Sequence, residues 1–190
     1  MASTPPKELG LGDRAPDFVL TDGAGGAWTL NKIAGDAKIG KPKPLLVAFI
    51  CNHCPYVLHM ADAFAAFASD YNDKDLAVVA ISANDATQYP EDAPDKMVDF
   101  ARAHHFSFPY LYDESQETAR AYGAVCTPDL FLFDDKHTLV YRGQFDDTRP
   151  GRGQPTGADL RAATDTMLAG RAIPSPQKPS AGCSIKWKTP

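Results

Sequence analysis

The residues with the most chemical potential stand together in one short segment, Cys51-Asn52-His53-Cys54-Pro55. Two thiols separated by two residues can exchange disulfides with each other or with a partner once one is ionised, because the thiolate is the nucleophile. Pro55 indicates which one. Proline fits best as the first residue of a helix and disfavours helical geometry in the residue before it. Cys54 is therefore expected at the helix cap and Cys51 at the end of the preceding strand or loop. A helix N-terminus offers unpaired N–H groups and the positive end of the dipole, and both favour a thiolate. Cys54 is read as the nucleophile, and Cys51 as a thiol near enough to pair with it or to resolve its adducts. The alternative starts the helix at Cys51 and forces Cys54 into helical geometry directly ahead of proline.

Two other readings use the same residues. Both cysteines could be small apolar residues of a core. Alternatively, Cys51, His53, Cys54 and His59 form a thiolate and imidazole cluster suited to zinc or copper, with Cys126 as a further ligand. Ligands crowded on one short segment rarely close a tetrahedral shell unaided, however. The redox reading needs no cofactor and no metal. In it His53, when protonated, stabilises the neighbouring thiolate and makes the protein more oxidising. The plainer expectation for His53 and His59 is an exposed loop residue and a helix-surface residue.

Strand and helix signals alternate around this segment. Residues 17–20 and 27–30 flank a DGAGG stretch and predict a β-hairpin. Leu45–Ile50 is a continuous apolar run, as in a strand buried on both faces. Residues 55–71 place Val57, Met60, Ala61, Phe64, Phe67, Ala68 and Tyr71 at helical spacing. Residues 76–82 predict a second buried strand, and 94–105 a helix with Pro94 in its first turn. Residues 114–122 predict a short helix ending at Gly123. Residues 130–133 and 138–143 read as a hairpin. Residues 156–169 read as a last helix capped by Thr156. Strands separated by helices imply parallel crossovers, and the late hairpin adds antiparallel strands. The expected fold is a mixed sheet with helices on both faces, the Cys pair lying at the end of a central strand where ligands gather. The expected organisation is one domain over 1–172, including an irregular arm at 1–12, and an extended Pro/Ser/Lys-rich tail at 173–190. Ile185 and Trp187 suggest that the tail docks. Cys183, within it, is read as incidental.

Composition narrows the function. The 190 residues are 44% hydrophobic and 23% charged, with net charge −5 and four cysteines. This is the mix of an ordinary globular chain. There is no dense basic run to meet nucleic acid, and no stretch approaches the ~20 apolar residues that span a bilayer. The N-terminal residues lack a basic segment followed by an apolar core, so the expected location is the cytoplasm, where cysteine pairs more often serve redox or metal chemistry than a structural framework.

A second constellation is Val125-Cys126-Thr127-Pro128-Asp129, which leads into the apolar strand LFLF. Proline is tolerated only at the first position or edge of a strand, and X-Pro bonds adopt cis far more readily than others.

Three features resemble the alkyl hydroperoxide reductase/thiol-specific antioxidant branch of the thioredoxin-fold superfamily. They are Gly12-Asp13-Arg14-Ala15-Pro16-Asp17-Phe18-Val19-Leu20, the strand-then-cysteine segment LLVAFICNHCP, and Tyr122-Gly123-Ala124-Val125-Cys126-Thr127-Pro128 with the following LFLFDD and LVYRGQ. The whole pattern, including PSAGCSIKW near the C-terminus, is similar to bacterial thioredoxin-like proteins with a C-N-H-C-P-Y segment. The resemblance covers about residues 10–170. It implies a thioredoxin-like fold with an N-terminal hairpin extension. It also implies a cis Pro128 that, with Thr127, walls the active cysteine and offers the Thr127 backbone to a bound peptide. On this reading Cys126 lies near Cys54 and is a second candidate to resolve it, and His53, Pro55, Thr127 and Pro128 contact substrate. The chain also departs from the pattern. The peroxidase motif P-x-x-x-T-x-x-C is incomplete: counted from Cys54, its threonine position holds Cys51 and its proline position Val47; counted from Cys51, Pro44 fits but Ala48 replaces the threonine.

The leading expectation is a thiol–disulfide oxidoreductase acting through Cys54, resolved by Cys51 or Cys126. Its partners would be a protein or small-molecule disulfide and a thiol reductant, with no nucleic acid and no membrane. A peroxiredoxin-like thiol peroxidase and a copper- or zinc-carrying module are the alternatives.

Overall fold

The computed structural model describes residues 9–36 and 40–189. The expectation of an irregular arm at 1–12 therefore falls mostly outside the described residues. The described part of that arm is fastened to the sheet. Leu9 is buried, the Gly12 N–H donates to Leu139 O and the Leu139 N–H to Asp13 O.

The expected N-terminal hairpin is β1 (Val19–Asp22) and β2 (Ala27–Thr29), paired antiparallel. Asp22 shapes its turn by accepting from the Ala24 and Gly26 N–H groups and from the Trp28 indole at 2.8 Å. A one-turn helix with too few residues to show a helical period, α1 (Leu30–Ala34), follows directly, capped by the Thr29 hydroxyl. The central strands are β3 (Leu45–Phe49) and β4 (Ala77–Ser82), with α2 (Pro55–Asn72) as the crossover between them. α3 (Pro94–Ala103) leads to β5 (Tyr110–Tyr112), a three-residue strand too short to show a period. Next come α4 (Glu117–Tyr122), β6 (Cys126–Thr127), β7 (Asp129–Phe133), β8 (Leu139–Gly143), α5 (Ala158–Leu168) and, within the tail, β9 (Cys183–Ser184).

Seven strands form one mixed sheet in the order β2-β1-β5-β4-β3-β7-β8. β3 runs parallel to β4 and β4 to β5, whereas β7 runs antiparallel to β3 and β8 to β7. β6 and β9 make a separate two-stranded ladder. Every residue of β3 is buried because helices cover both faces of the sheet. Leu46, Ala48 and Ile50 point to the side of Val57, Phe64 and Phe67 of α2 and Leu160 of α5. Leu45, Val47 and Phe49 point to the side of Leu30, Ala119, Tyr122 and the tail's Ile185. The mixed sheet flanked by helices is the fold expected.

The ends of two helices show how local chemistry sets boundaries. α4 stops at Gly123, which adopts φ 63°, as expected of a glycine C-cap. α5 departs from expectation, since its cap is Gly157 and not Thr156. The acceptor comes from a distant loop: Asp146 Oδ2 takes the N–H groups of Thr156 and Gly157 at 2.7 and 2.8 Å. The capping carboxylate thus lies ten residues upstream, where a local motif cannot show it.

Candidate active site

α2 begins at Pro55, and Cys54 is its cap residue in extended geometry, φ −68° and ψ 122°. Proline enforces this arrangement. Cys51 lies just past the end of β3, after Ile50, whose N–H still pairs with Ile81 O at 3.0 Å. Both sulfurs are buried: Cys51 is 1% exposed and Cys54 0%. All four cysteines are free thiols.

The Thr127–Pro128 peptide bond is cis, as the resemblance implies. This bend brings Thr127 onto both thiols: the Cys54 S–H donates to Thr127 O at 3.0 Å, and Thr127 Oγ1 lies 3.3 Å from Cys51 Sγ. The bend is held from behind by Arg142, whose guanidinium donates to Gly123 O at 2.6 Å and to Asp129 Oδ2 at 3.3 Å and lies over the Phe131 ring. Arg142 therefore positions the wall of the site rather than charging the thiols.

The two thiols are electrically unequal. The Cys51 S–H donates to Cys54, and this is the largest influence holding the Cys54 thiol well below its usual range. Burial opposes it, while the N–H groups of Val57 and Cys183 and the Thr127 hydroxyl reinforce it. Cys51 is pushed well up, first by that same hydrogen bond, then by burial and by the charge of Asp92. Cys54 is thus the more readily ionised of the two, the polarity that Pro55 suggests, and its ionisation gives up the S–H bond to Thr127 O.

The Asn52–His53 turn is pinned from across the sheet. Asp92, fully buried, accepts from the Asn52 N–H at 2.7 Å and from Asn84 Nδ2 at 2.8 Å. Asn52 also donates to Glu91 O and accepts from the Tyr110 hydroxyl at 3.0 Å. His53 is not a freely exposed loop residue: its ring stacks on Tyr89, and Nδ1 lies 2.7 Å from Asp92 Oδ2, although off the line of a good hydrogen bond. Asp92, Asn84 and Tyr110 went unnoticed in the sequence because nothing local marks a carboxylate that will be buried against a loop forty residues away.

The structure does not gather the metal-ligand set considered above. His59 pairs with Thr148 Oγ1 at 3.0 Å in a separate small cleft with Met60 and Phe145. Among the described residues, the only three ligand atoms that cluster are those of Cys51, His53 and Asp92, within 4.8 Å of one another. Both Asp92 oxygens already accept hydrogen bonds, and Cys51 is held as a thiol, so this trio is a poor fit to a dication.

Cys126 is also not joined to Cys54. Side chains alternate along a strand, so Cys126 faces away from Thr127's side; its Sγ lies 3.5 Å from Pro128 O, in a pocket with Asp129 and Arg142. Burial, with Asp129 nearby, pushes its thiol up to about 12. The expectation that Cys183 is incidental needs correction. β9 pairs with β6 so that Cys183 stands opposite Thr127, whose carbonyl lies 3.0 Å from Cys54 Sγ, and it packs against the cluster that holds both site cysteines. The Thr127 backbone, expected to await a peptide, is paired with the protein's own tail.

Comparison with known proteins agrees with this architecture. A search of curated proteins finds no match. Among solved structures, a hypothetical protein from Sinorhizobium meliloti 1021 is 49% identical, with TM-score 0.88, covering 99% of this chain and 100% of that one. An uncharacterized conserved protein from Geobacillus kaustophilus is 46% identical, with TM-score 0.88 and coverage of 99% and 97%. A peroxidoxin from Mycobacterium tuberculosis shares the fold at 20% identity and TM-score 0.64, covering 87% of this chain and 100% of that one. The AhpC/TSA family model matches residues 11–142, a span that holds β1 through most of β8 and with them Cys51, Cys54 and the cis-proline wall. With more than half of its length matched, the chain belongs to the AhpC/TSA family.

Proposed function

We propose that the protein is a thiol–disulfide oxidoreductase in which Cys54 is the attacking thiolate and Cys51 resolves it. The observation that carries this reading is the Cys51–Cys54 pair itself, two thiols at the end of β3 and the cap of α2, both against Thr127 of the cis-proline wall. Cys54 thiolate attacks a disulfide RS–SR′, forming Cys54–S–SR and releasing R′S⁻. Cys51 gives up its proton to the departing thiolate and attacks Cys54 Sγ. This releases RS⁻ and leaves a Cys51–Cys54 disulfide. Two electrons have passed to the substrate, and an external dithiol restores the pair.

Peroxide reduction is the second reading. It is favoured by the full burial of Cys54, which admits a small oxidant more easily than a protein. The hydroxyl missing at Ala48 is partly replaced by Thr127, which reaches both sulfurs. Against it, the guanidinium of Arg142 is directed to Gly123 O and Asp129 on the far side of the wall. The test is a side-by-side assay of dithiol-dependent disulfide reduction and peroxide consumption, with Cys54→Ser as control. Disulfide reduction that is lost in the variant and exceeds peroxide turnover supports the proposal. Fast peroxide turnover with negligible disulfide reduction replaces it by the second reading.

A further inference from the structure

The tail around residue 183 is built into the site. It runs antiparallel to the segment before Pro128, with Cys183 opposite Thr127, Ser184 opposite Cys126, and the Ile185 N–H donating to Val125 O at 3.1 Å. The Thr127 carbonyl at this pairing is the one 3.0 Å from Cys54 Sγ. Gly182 makes the approach possible: a Cβ there would stand 2.0 Å from Thr127 O and 2.6 Å from Thr127 C, both backbone atoms with no room to yield. The strand is anchored on both sides. Upstream, Ser180 Oγ donates to Gly143 O at 2.8 Å. Downstream, Ile185 is buried in the core and Lys186 O accepts from the Asp85 N–H at 2.9 Å.

This placement addresses a problem in the proposed reaction, on which the inference rests. A disulfide between Cys51 and Cys54 would join two buried residues, 1% exposed or less, where an external dithiol attacks less readily than at a partly exposed sulfur. Cys183 is only partly buried, stands opposite Thr127 and packs against the cluster that holds Cys51 and Cys54. We propose that Cys183 is a third redox thiol, the relay through which an external dithiol reduces the buried Cys51–Cys54 pair.

The Cys183 thiolate attacks Cys54 Sγ of the Cys51–Cys54 disulfide. The bond to Cys51 breaks, the Cys54–Cys183 bond forms, and Cys51 leaves as a thiolate that takes up the proton Cys183 gave to solvent. No net oxidation occurs in this exchange. The external dithiol then attacks Cys183 Sγ and expels Cys54 thiolate. Its second thiol closes on the first, expels Cys183 thiolate, and leaves the dithiol oxidised by two electrons. The electrostatics fit the order of events. Burial and the hydrogen bond with Cys54 both raise the Cys183 thiol, and Lys186 lowers it. The contribution from Cys54 vanishes once Cys54 is in a disulfide, so Cys183 ionises more readily at the step that needs it.

The test uses the full chain with Cys126→Ser throughout. First, Cys51→Ser is added, the protein is oxidised with diamide, and disulfide-linked peptides are mapped by mass spectrometry. A Cys54–Cys183 link is expected, and adding Gly182→Val, which forces the tail off Thr127, should abolish it. Second, the Cys51–Cys54 disulfide is formed with and without Cys183→Ser and its reduction by dithiothreitol is followed. Cys183→Ser should slow reduction by about tenfold or more, the loss expected when a tethered thiol is replaced by direct attack on buried sulfur. The relay is overturned if Cys54 forms its disulfide with Cys51 while Cys183 never links to it and reduction rates are equal. If Cys54 forms no disulfide with any thiol, the oxidoreductase reading fails together with the relay. Should Gly182→Val not fold, the link mapping and the rate comparison decide without it.

Discussion

Replacing Cys51 by alanine should raise the Cys54 pKa, and the structure sets the size of the change. The Cys51 S–H is the largest influence holding Cys54 ionised, and alanine removes it while the Val57 and Cys183 N–H groups and the Thr127 hydroxyl remain. A hydrogen bond to a charged acceptor is worth about 1.5–3 kcal/mol. At about 1.4 kcal/mol per unit, its loss moves the midpoint upward by about 1–2 units. The rate at pH 7 is a poor readout, because a thiol held this low stays ionised there even after the shift, and a more basic thiolate is a somewhat better nucleophile. The assay is therefore the full pH profile of iodoacetamide alkylation, in a background with Cys126 and Cys183 changed to serine, with the alkylated peptide mapped so that Cys54 is read apart from the Cys51 of the parent. Cys51→Ser keeps an O–H donor at the same place and should shift the midpoint by less than half as much as alanine. An alanine midpoint within about 0.3 units of the parent, or a serine shift as large as the alanine one, would refute the idea that the Cys51 proton sustains the thiolate.

Three further outcomes follow from the surroundings of the site. Asp92→Asn leaves one oxygen where the Asn52 N–H and the Asn84 amide now use two, so it should lower stability by about 1–3 kcal/mol in urea unfolding; an unchanged midpoint contradicts the pinning role. Arg142→Met leaves Asp129 buried without its guanidinium and should cost about 3–5 kcal/mol, partly recovered by adding Asp129→Asn, with equal stability of the single and double variants as the contrary result. For Asp146, burial alone would raise the carboxyl, but the Thr148 hydroxyl and the Gly157, Thr156 and Thr148 N–H groups outweigh it and hold the carboxyl below its usual value. Its folded pKa is depressed, so the stability it contributes is complete above about pH 4 and is lost as pH falls through the folded value. Asp146→Asn should thus flatten the acid limb of a stability–pH curve below pH 4, and parallel curves for the two proteins would contradict this.

What the sequence made legible is what short-range forces decide. Pro55 fixes the start of α2 because its ring constrains its own φ and the residue before it, whatever lies around it. The apolar run of β3 declares burial on both faces, and Gly123 ends α4 by taking a left-handed conformation. Elements settled by distant partners were not legible. β5 has three residues and no period to detect. The α5 cap moved by one residue because its acceptor, Asp146, sits in another loop. Asp92 looks like any acidic loop residue until the sheet brings Asn52 to it.

Cys183, the thiol of the proposed relay, shows the same limit. Two residues of strand carry no hydrophobic pattern, and a Pro- and Ser-containing tail reads as surface chain. Its signal was nonetheless present in the order Gly182-Cys183, followed by Ile185 and Trp187. The glycine permits contact with another backbone, and the two apolar residues must be covered once the chain folds: Ile185 is buried and Trp187 lies under Arg120. The missing Cβ lets the tail's backbone close against the cis-proline wall, and Thr127 O, where that approach ends, is 3.0 Å from the Cys54 sulfur.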